Sequence, residues 1–184
     1  TPFSIWSESK NIEDALKLTD GLEGAFIIKD YVKSRKHEWY DACLIKDISD
    51  REETFRVINN FLNRQGENLE GGVVLRKFES LKSIGNHKDS GMPICEEYRV
   101  FVFKGEILIA DNYWSENEEV NISEDEYVWI ESIASKIESN FVTIDLARKT
   151  DGSLIIMEMG DGQVSGLQQM DEYEFYGAFQ NQGK

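Results

Sequence analysis

Residues 141–162 read FVTIDLARKTDGSLIIMEMGDG, and the fold is decided there. Two apolar runs, 141–148 and 154–158, flank Thr150-Asp151-Gly152, and Asp-Gly between such runs is a strong short-range hairpin signal. Gly160-Asp161-Gly162 ends the second run. A turn at 150–153 sets the strands side by side, so that Asp145 and Glu158 can share one face. Carboxylates among Ile144, Leu146, Ile155 and Ile156 are costly without a partner. A divalent cation is the natural one, and oxygen-only donors select magnesium or calcium over zinc. Asp161 is placed to supply a third oxygen. The alternative is a pair of solvent-facing carboxylates on a half-exposed sheet.

Upstream of this hairpin, Ser123 opens a helix boxed by Glu126, with Val128, Ile130, Ile133, Ala134 and Ile137 at helical spacing. Before it, 98–103 and 107–111 form another hairpin around Lys104-Gly105-Glu106, and 73–78 is a strand. A Gly/Ser/Asn-rich loop over 83–93 separates them. The first 70 residues mix both elements. A helix at 11–18 is capped by Asn11 and a strand runs over 25–29. A polar loop follows at 30–37, then a second strand at 40–45. Asp50 opens a helix with Glu53 in a capping-box pattern and Phe55, Ile58, Phe61 and Leu62 in register. A last helix starts near Asp171. The layout is α+β, with a division between 1–70 and 71–184.

Four cations stand where charge is expensive. Lys29 emerges from an apolar strand, with Lys33 across the following loop, and an anion such as phosphate suits them. A surface lysine beside Asp30 is the plain alternative. Arg99, between Tyr98 and Val100, requires a carboxylate such as Glu97, Asp145 or Glu158, or a ligand phosphate. Arg76 stands in a similar run. Trp39, Trp114 and Trp129 read as packing residues, and the two histidines suggest no triad.

The 184 residues carry 20 basic and 35 acidic side chains, a net charge of -15, which argues against a nucleic-acid-coating surface. A few cations focused in a cleft still suit an anionic ligand. Cys43 and Cys95 fit no metal spacing and read as buried thiols of a reducing compartment. No apolar run is long enough to cross a bilayer and no secretory signal opens the chain, so a cytoplasmic setting is expected.

Five stretches in order resemble the ATP-grasp superfamily, and within it the clade named for one conserved arginine and two lysines. They are IKDYVKS (28–34), VLRKF (74–78), EYRVF (97–101), DLAR (145–148) and EMGDGQVSGL (158–167). The resemblance implies two α+β lobes holding ATP between antiparallel sheets, and a chain that lacks the preceding Rossmann-like domain. Lys29 would contact the phosphates, and Lys33 would do so or hold the phosphate-covering loop. Arg76 is open by its own surroundings to a structural salt bridge or to the ligand. Lys77 and Phe78 would meet the adenine through their backbone. Arg99, with Lys33, would neutralise the transferred phosphoryl group, and Asp145, Glu158 and Asp161 would hold magnesium. The superfamily pattern places asparagine two residues after the metal glutamate, where this chain has Gly160. The activity implied is an ATP- and magnesium-dependent ligase. It would activate a small-molecule or peptide carboxylate as an acyl phosphate for an amine or thiol. The 83–93 loop would close over the nucleotide.

Two rivals stand against that reading. Lys149-Thr150-Asp151-Gly152 fits the Lys-x-Asp-Gly pattern of lysine-adenylating nucleic-acid ligases, but too little chain follows for their further motifs. The other is an ATP-binding assembly factor, resembling eukaryotic cell-division-cycle proteins, that keeps the ATP residues and engages a protein partner without ligase chemistry.

Overall fold

The computed structural model describes residues 2–115 and 120–181. It divides into two compact units: Pro2–Glu79 with Asn86–Met92, and Ser80–Gly85 with Pro93–Lys184. The division falls after Glu79 rather than after residue 70, because the strand following Gly72 belongs to the first sheet.

In the N-terminal unit, β1 (Ser4–Ser7), β2 (Phe26–Lys29), β3 (Leu44–Ile45) and β4 (Val73–Lys77) form an antiparallel sheet ordered β1-β4-β2-β3. The period of two in β2 and β4 turns Phe26, Ile28, Val73 and Leu75 onto one face. There they meet Val57, Ile58 and Phe61 of α3 (Arg51–Gln65) and Ala15 of α1 (Ile12–Lys17). Asp50 caps α3 by accepting hydrogen bonds from the Glu52 and Glu53 amides at 3.0 and 3.1 Å. The expected box does not close, since the Glu53 carboxylate accepts from the Lys46 amide. Gly72 passes so close to β1 that a Cβ there would lie 1.9 Å from the Ser7 carbonyl oxygen. The strand expected at 40–45 is split: Trp39–Ala42 is a short helix, α2, and only Leu44–Ile45 pairs as a strand. The Asn60 side chain donates to the Asp41 carbonyl and Arg64 pairs with Asp41 and Glu38, fixing that turn against α3.

The expected loop at 83–93 is instead a hairpin of β5 (Ser83–Asn86) and β6 (Pro93–Cys95), closed by the His87 amide donating to the Met92 carbonyl. Met92 packs with Trp39, Cys43 and Leu44.

In the C-terminal unit, β7 (Glu97–Phe103), β8 (Glu106–Asn112), β9 (Phe141–Arg148) and β10 (Leu154–Asp161) form an antiparallel sheet ordered β10-β9-β7-β8. Lys104 and Gly105, both with positive φ, close the β7–β8 hairpin in the backbone shape that matches strand twist. On one face Tyr98, Val100, Ile144 and Leu146 pack against Ile130 and Ala134 of α4 (Glu124–Ala134). The expected capping box of α4 is present, with Ser123 and Glu126 exchanging hydrogen bonds. Part of the other face is covered by α5 (Glu172–Asn181), whose Phe175 joins Phe101 and Met170 in a second cluster. No helix among the described residues is long and apolar enough to cross a membrane.

Candidate functional site

The uncovered part of that second face carries a row of polar residues at one level of the sheet. Asp111 pairs with Arg99, Arg99 with Asp145, and Asp145 with Glu158, across β8, β7, β9 and β10. Directly opposed residues of antiparallel strands point the same way. Glu158 owes its place to a β-bulge. Ile156 pairs with Leu146, but the next partner of β9, Asp145, faces Glu158 rather than Met157. An unbroken ladder from Ile156 would oppose Met157 to Asp145 and turn Glu158 toward the α4 face. One extra residue inverts that outcome.

Arg99 and Asp145 form the centre. The Arg99 Nε donates to Asp145 Oδ1 at 2.8 Å and its Nη2 to Oδ2 at 2.6 Å, a bidentate pair in which each residue is 8% exposed. Its Nη1 donates to the Gly166 carbonyl at 2.9 Å, and the guanidinium lies over the Tyr113 ring, 4.8 Å from the centroid. Burial works against the Arg99 charge, but the Asp145 carboxylate more than offsets it and holds the guanidinium pKa above its usual value. Burial pushes the Tyr113 phenol up. Glu158 is exposed.

These donors fit magnesium. Every one is an oxygen, and Asp145 keeps lone pairs beyond those that receive Arg99. Magnesium binds through one or two carboxylates with substrate phosphates and water filling the rest. Asp161 does not join them. Its partner across the ladder is Val142, on the α4 face, and its Oδ1 accepts the Gln163 amide at 2.8 Å. Among the described residues no three His, Cys, Asp or Glu side chains gather as a metal cluster. At Gly160 a Cβ would lie 3.0 Å from Thr143 Oγ1 and 3.3 Å from Ser165 Oγ, hydroxyls that bond each other at 2.9 Å.

In the N-terminal unit, Lys29 and Arg76 lie on the sheet face opposite the α3 core. Lys29 pairs with Val74 and Val74 with Trp6; Arg76 pairs with Ser4 and Ile27. All but Ile27 line, with Tyr31, a depression of about 410 Å³. Lys33 is exposed at the tip of a tight loop, closed by the Lys29–Ser34 bridge and by Asp30. Asp30 is buried, and its carboxylate accepts from the Val32 and Lys33 amides and from Gln65. Burial pushes the Asp30 carboxyl up, but these donors together hold it below its usual range. Lys77 alternates with Arg76 onto the opposite face. The amides of Lys77 and Phe78 already donate, to the Phe3 and Ala25 carbonyls at 2.8 and 2.9 Å, so neither N–H is available to a base in this structure.

Sequence reasoning missed β1 with Trp6, the Tyr31 wall, and Tyr113 over Arg99. A four-residue strand whose partner lies almost seventy residues away leaves no local trace. The Lys149–Gly152 stretch is a hairpin turn, with the Gly152 amide donating to the Lys149 carbonyl.

The fold is shared with solved structures at low identity. D-cycloserine synthetase DcsG superposes with a TM-score of 0.53 at 15% identity, over 100% of this chain and 65% of that one. The N5-carboxyaminoimidazole synthetase of Staphylococcus aureus gives 0.52 at 13%, over 91% and 41%. The ATP-grasp ligase PsnB, solved with its minimal precursor, Mg and ADP, gives 0.51 at 12%, over 100% and 54%. The chain thus spans roughly two fifths to two thirds of the length of these structures. Among curated protein sequences none matches it. The profile of an ATP-grasp domain, family 3 of the clade named for one arginine and two lysines, matches residues 18–178, nearly the whole chain. With that match over a sheet architecture common to ATP-grasp enzymes, the chain belongs to the arginine-and-two-lysine clade of the ATP-grasp domains.

Proposed function

We propose that this domain binds ATP with magnesium and serves a ligase that activates a carboxylate for attack by an amine or thiol. The observation that carries the reading is the Arg99–Asp145–Glu158 row, a buried cation beside two carboxylates on an uncovered sheet face. Asp145 and Glu158 would hold magnesium, which supplies charge neutralisation to phosphate oxygens. Arg99, already desolvated and oriented, is suited to the transferred phosphoryl group. In the N-terminal unit Lys29 and Arg76 supply cationic charge on one face, with Lys33 on the adjoining loop. Phosphoryl transfer asks mainly for positioning and charge, and within the C-terminal unit the Arg99–Asp145 pair supplies both. The γ-phosphoryl group would pass to a carboxylate oxygen, releasing ADP, and the incoming nucleophile would then displace phosphate from the acyl carbon. A peptide carboxylate is one acceptor class to test beside small molecules. A cytoplasmic setting suits the buried thiols of Cys43 and Cys95, which burial pushes up to about 11 and about 12.

Calorimetry with Mg and AMP-PNP tests the reading. Glu158→Gln, at an exposed position, is expected to lower magnesium-dependent affinity about tenfold or more while the melting temperature holds, and Lys29→Ala to weaken nucleotide binding. Unchanged affinity in Glu158→Gln removes the metal role.

A further inference from the structure

The depression on the N-terminal sheet has walls that phosphate binding alone does not explain. Trp6 and Tyr31 are 61% and 46% exposed, large aromatic surfaces beside the cationic side chains of Lys29 and Arg76. Both walls are built in. Trp6 stands in β1 in register with Val74, which is in turn in register with Lys29, so all three side chains rise from one level of the sheet. The Tyr31 amide donates to the Glu70 carbonyl at 3.2 Å, and its ring lies where a Cβ on Gly71 would come within 2.3 Å of it. Gly71 has a φ of 70°, so side chains are disfavoured there and the place against the backbone is left to the ring. The volume, about 410 Å³, falls in the size range of small-molecule sites.

We propose that this depression is a subsite for a ligand that carries an oxyanion beside a flat ring. The oxyanion meets Lys29 and Arg76, the ring packs on Trp6, and Tyr31 closes the end. Cations next to exposed aromatic faces favour this chemistry. The ammonium and guanidinium take the charge, while the indole offers a broad apolar face at little cost in conformational freedom. Two sources carry such a group: the nucleotide, with its base and phosphates, or an aromatic carboxylate acceptor. The proposal rests on the ATP reading only for the first source.

The test titrates the chain and its Trp6→Leu and Trp6→Phe variants with three probes: Mg·AMP-PNP, Mg·tripolyphosphate and phenylalanine. Stacking of a ring on an aromatic side chain leads to an expected affinity loss of about tenfold in Trp6→Leu for a ring-bearing probe, restored in Trp6→Phe. Tripolyphosphate, which has no ring, should bind both variants as it binds the parent. Loss for AMP-PNP assigns the ring to the nucleotide, and loss for phenylalanine assigns it to the acceptor. Equal loss for tripolyphosphate, or no loss for either ring-bearing probe, overturns the subsite. If the parent chain does not bind AMP-PNP, the ATP reading fails, and the phenylalanine arm alone then decides the subsite.

Discussion

Arg99 serves three acceptor atoms at once: both oxygens of Asp145 and the carbonyl of Gly166. That arrangement separates two substitutions that look equivalent in the sequence. Glu158 is exposed, so its amide variant changes one proposed magnesium ligand and little else. Asp145 neutralises a buried guanidinium, and leaving such a charge without its partner costs about 3–5 kcal/mol. Asp145→Asn should therefore lower stability as well as metal affinity, and urea denaturation should show a midpoint well below that of Glu158→Gln. Equal midpoints would mean that the Arg99–Asp145 pair contributes little to the folded state. The residue types of this site were legible, because an arginine and an aspartate inside apolar strands announce a partner. The partner itself was not, since Glu97, Glu158 and a phosphate were equally open to Arg99 until the register was known.

At the scale of elements, the caps that start α3 and α4 held, although the Glu53 half of the α3 box is diverted to the Lys46 amide. Ser123 and Glu126 form the box their spacing predicts, and Glu126 also accepts from Arg148 at 2.6 Å, tying the start of α4 to the end of β9. Ser123→Ala should cost about 1 kcal/mol, the usual loss for a hydroxyl cap, read as a lower melting temperature with nucleotide affinity unchanged. An unchanged melting temperature would show that Arg148 alone seats the helix. Elements fixed by distant partners did not hold as well. The 40–45 run is apolar enough for strand or helix, and its docking on α3 through Asn60 and Arg64 decides for a helical turn. The 83–93 segment has loop composition, yet it pairs with itself as a hairpin.

At the scale of the whole molecule, acid stability depends on a buried polar network other than the Arg99–Asp145 pair. Glu96, 3% exposed, receives Lys82, Tyr98 and Arg148. Burial pushes its carboxyl up, but these partners override it and hold the pKa at about 2. A folded-state pKa below the unfolded one stabilises above the unfolded value and loses that stabilisation as pH falls through the folded one. The Glu96 contribution, on the order of 3 kcal/mol, should be complete above about pH 4.5 and vanish toward pH 2. Glu96→Gln should flatten the acid limb of a stability-versus-pH curve over that window. A parallel curve for the variant would place the acid sensitivity in other carboxylates.

By itself the sequence determined the α+β class, the hairpins at 98–111 and 141–158, the helix starts at Asp50 and Ser123, and the cations and carboxylates of the candidate site. These depend on turn chemistry, caps and period-two or helical spacing, all written within a few residues. Only the tertiary structure decided which of those side chains meet. The bulge at Met157 turns Glu158 to the face of Asp145 and leaves Asp161 on the other. The pairing of β1 with β4 sets Trp6 beside the strand that carries Arg76. The physical reason is the same in both cases. A strand's face follows from its register, and one extra residue or one distant pairing, neither of which leaves a local pattern, exchanges inside for outside.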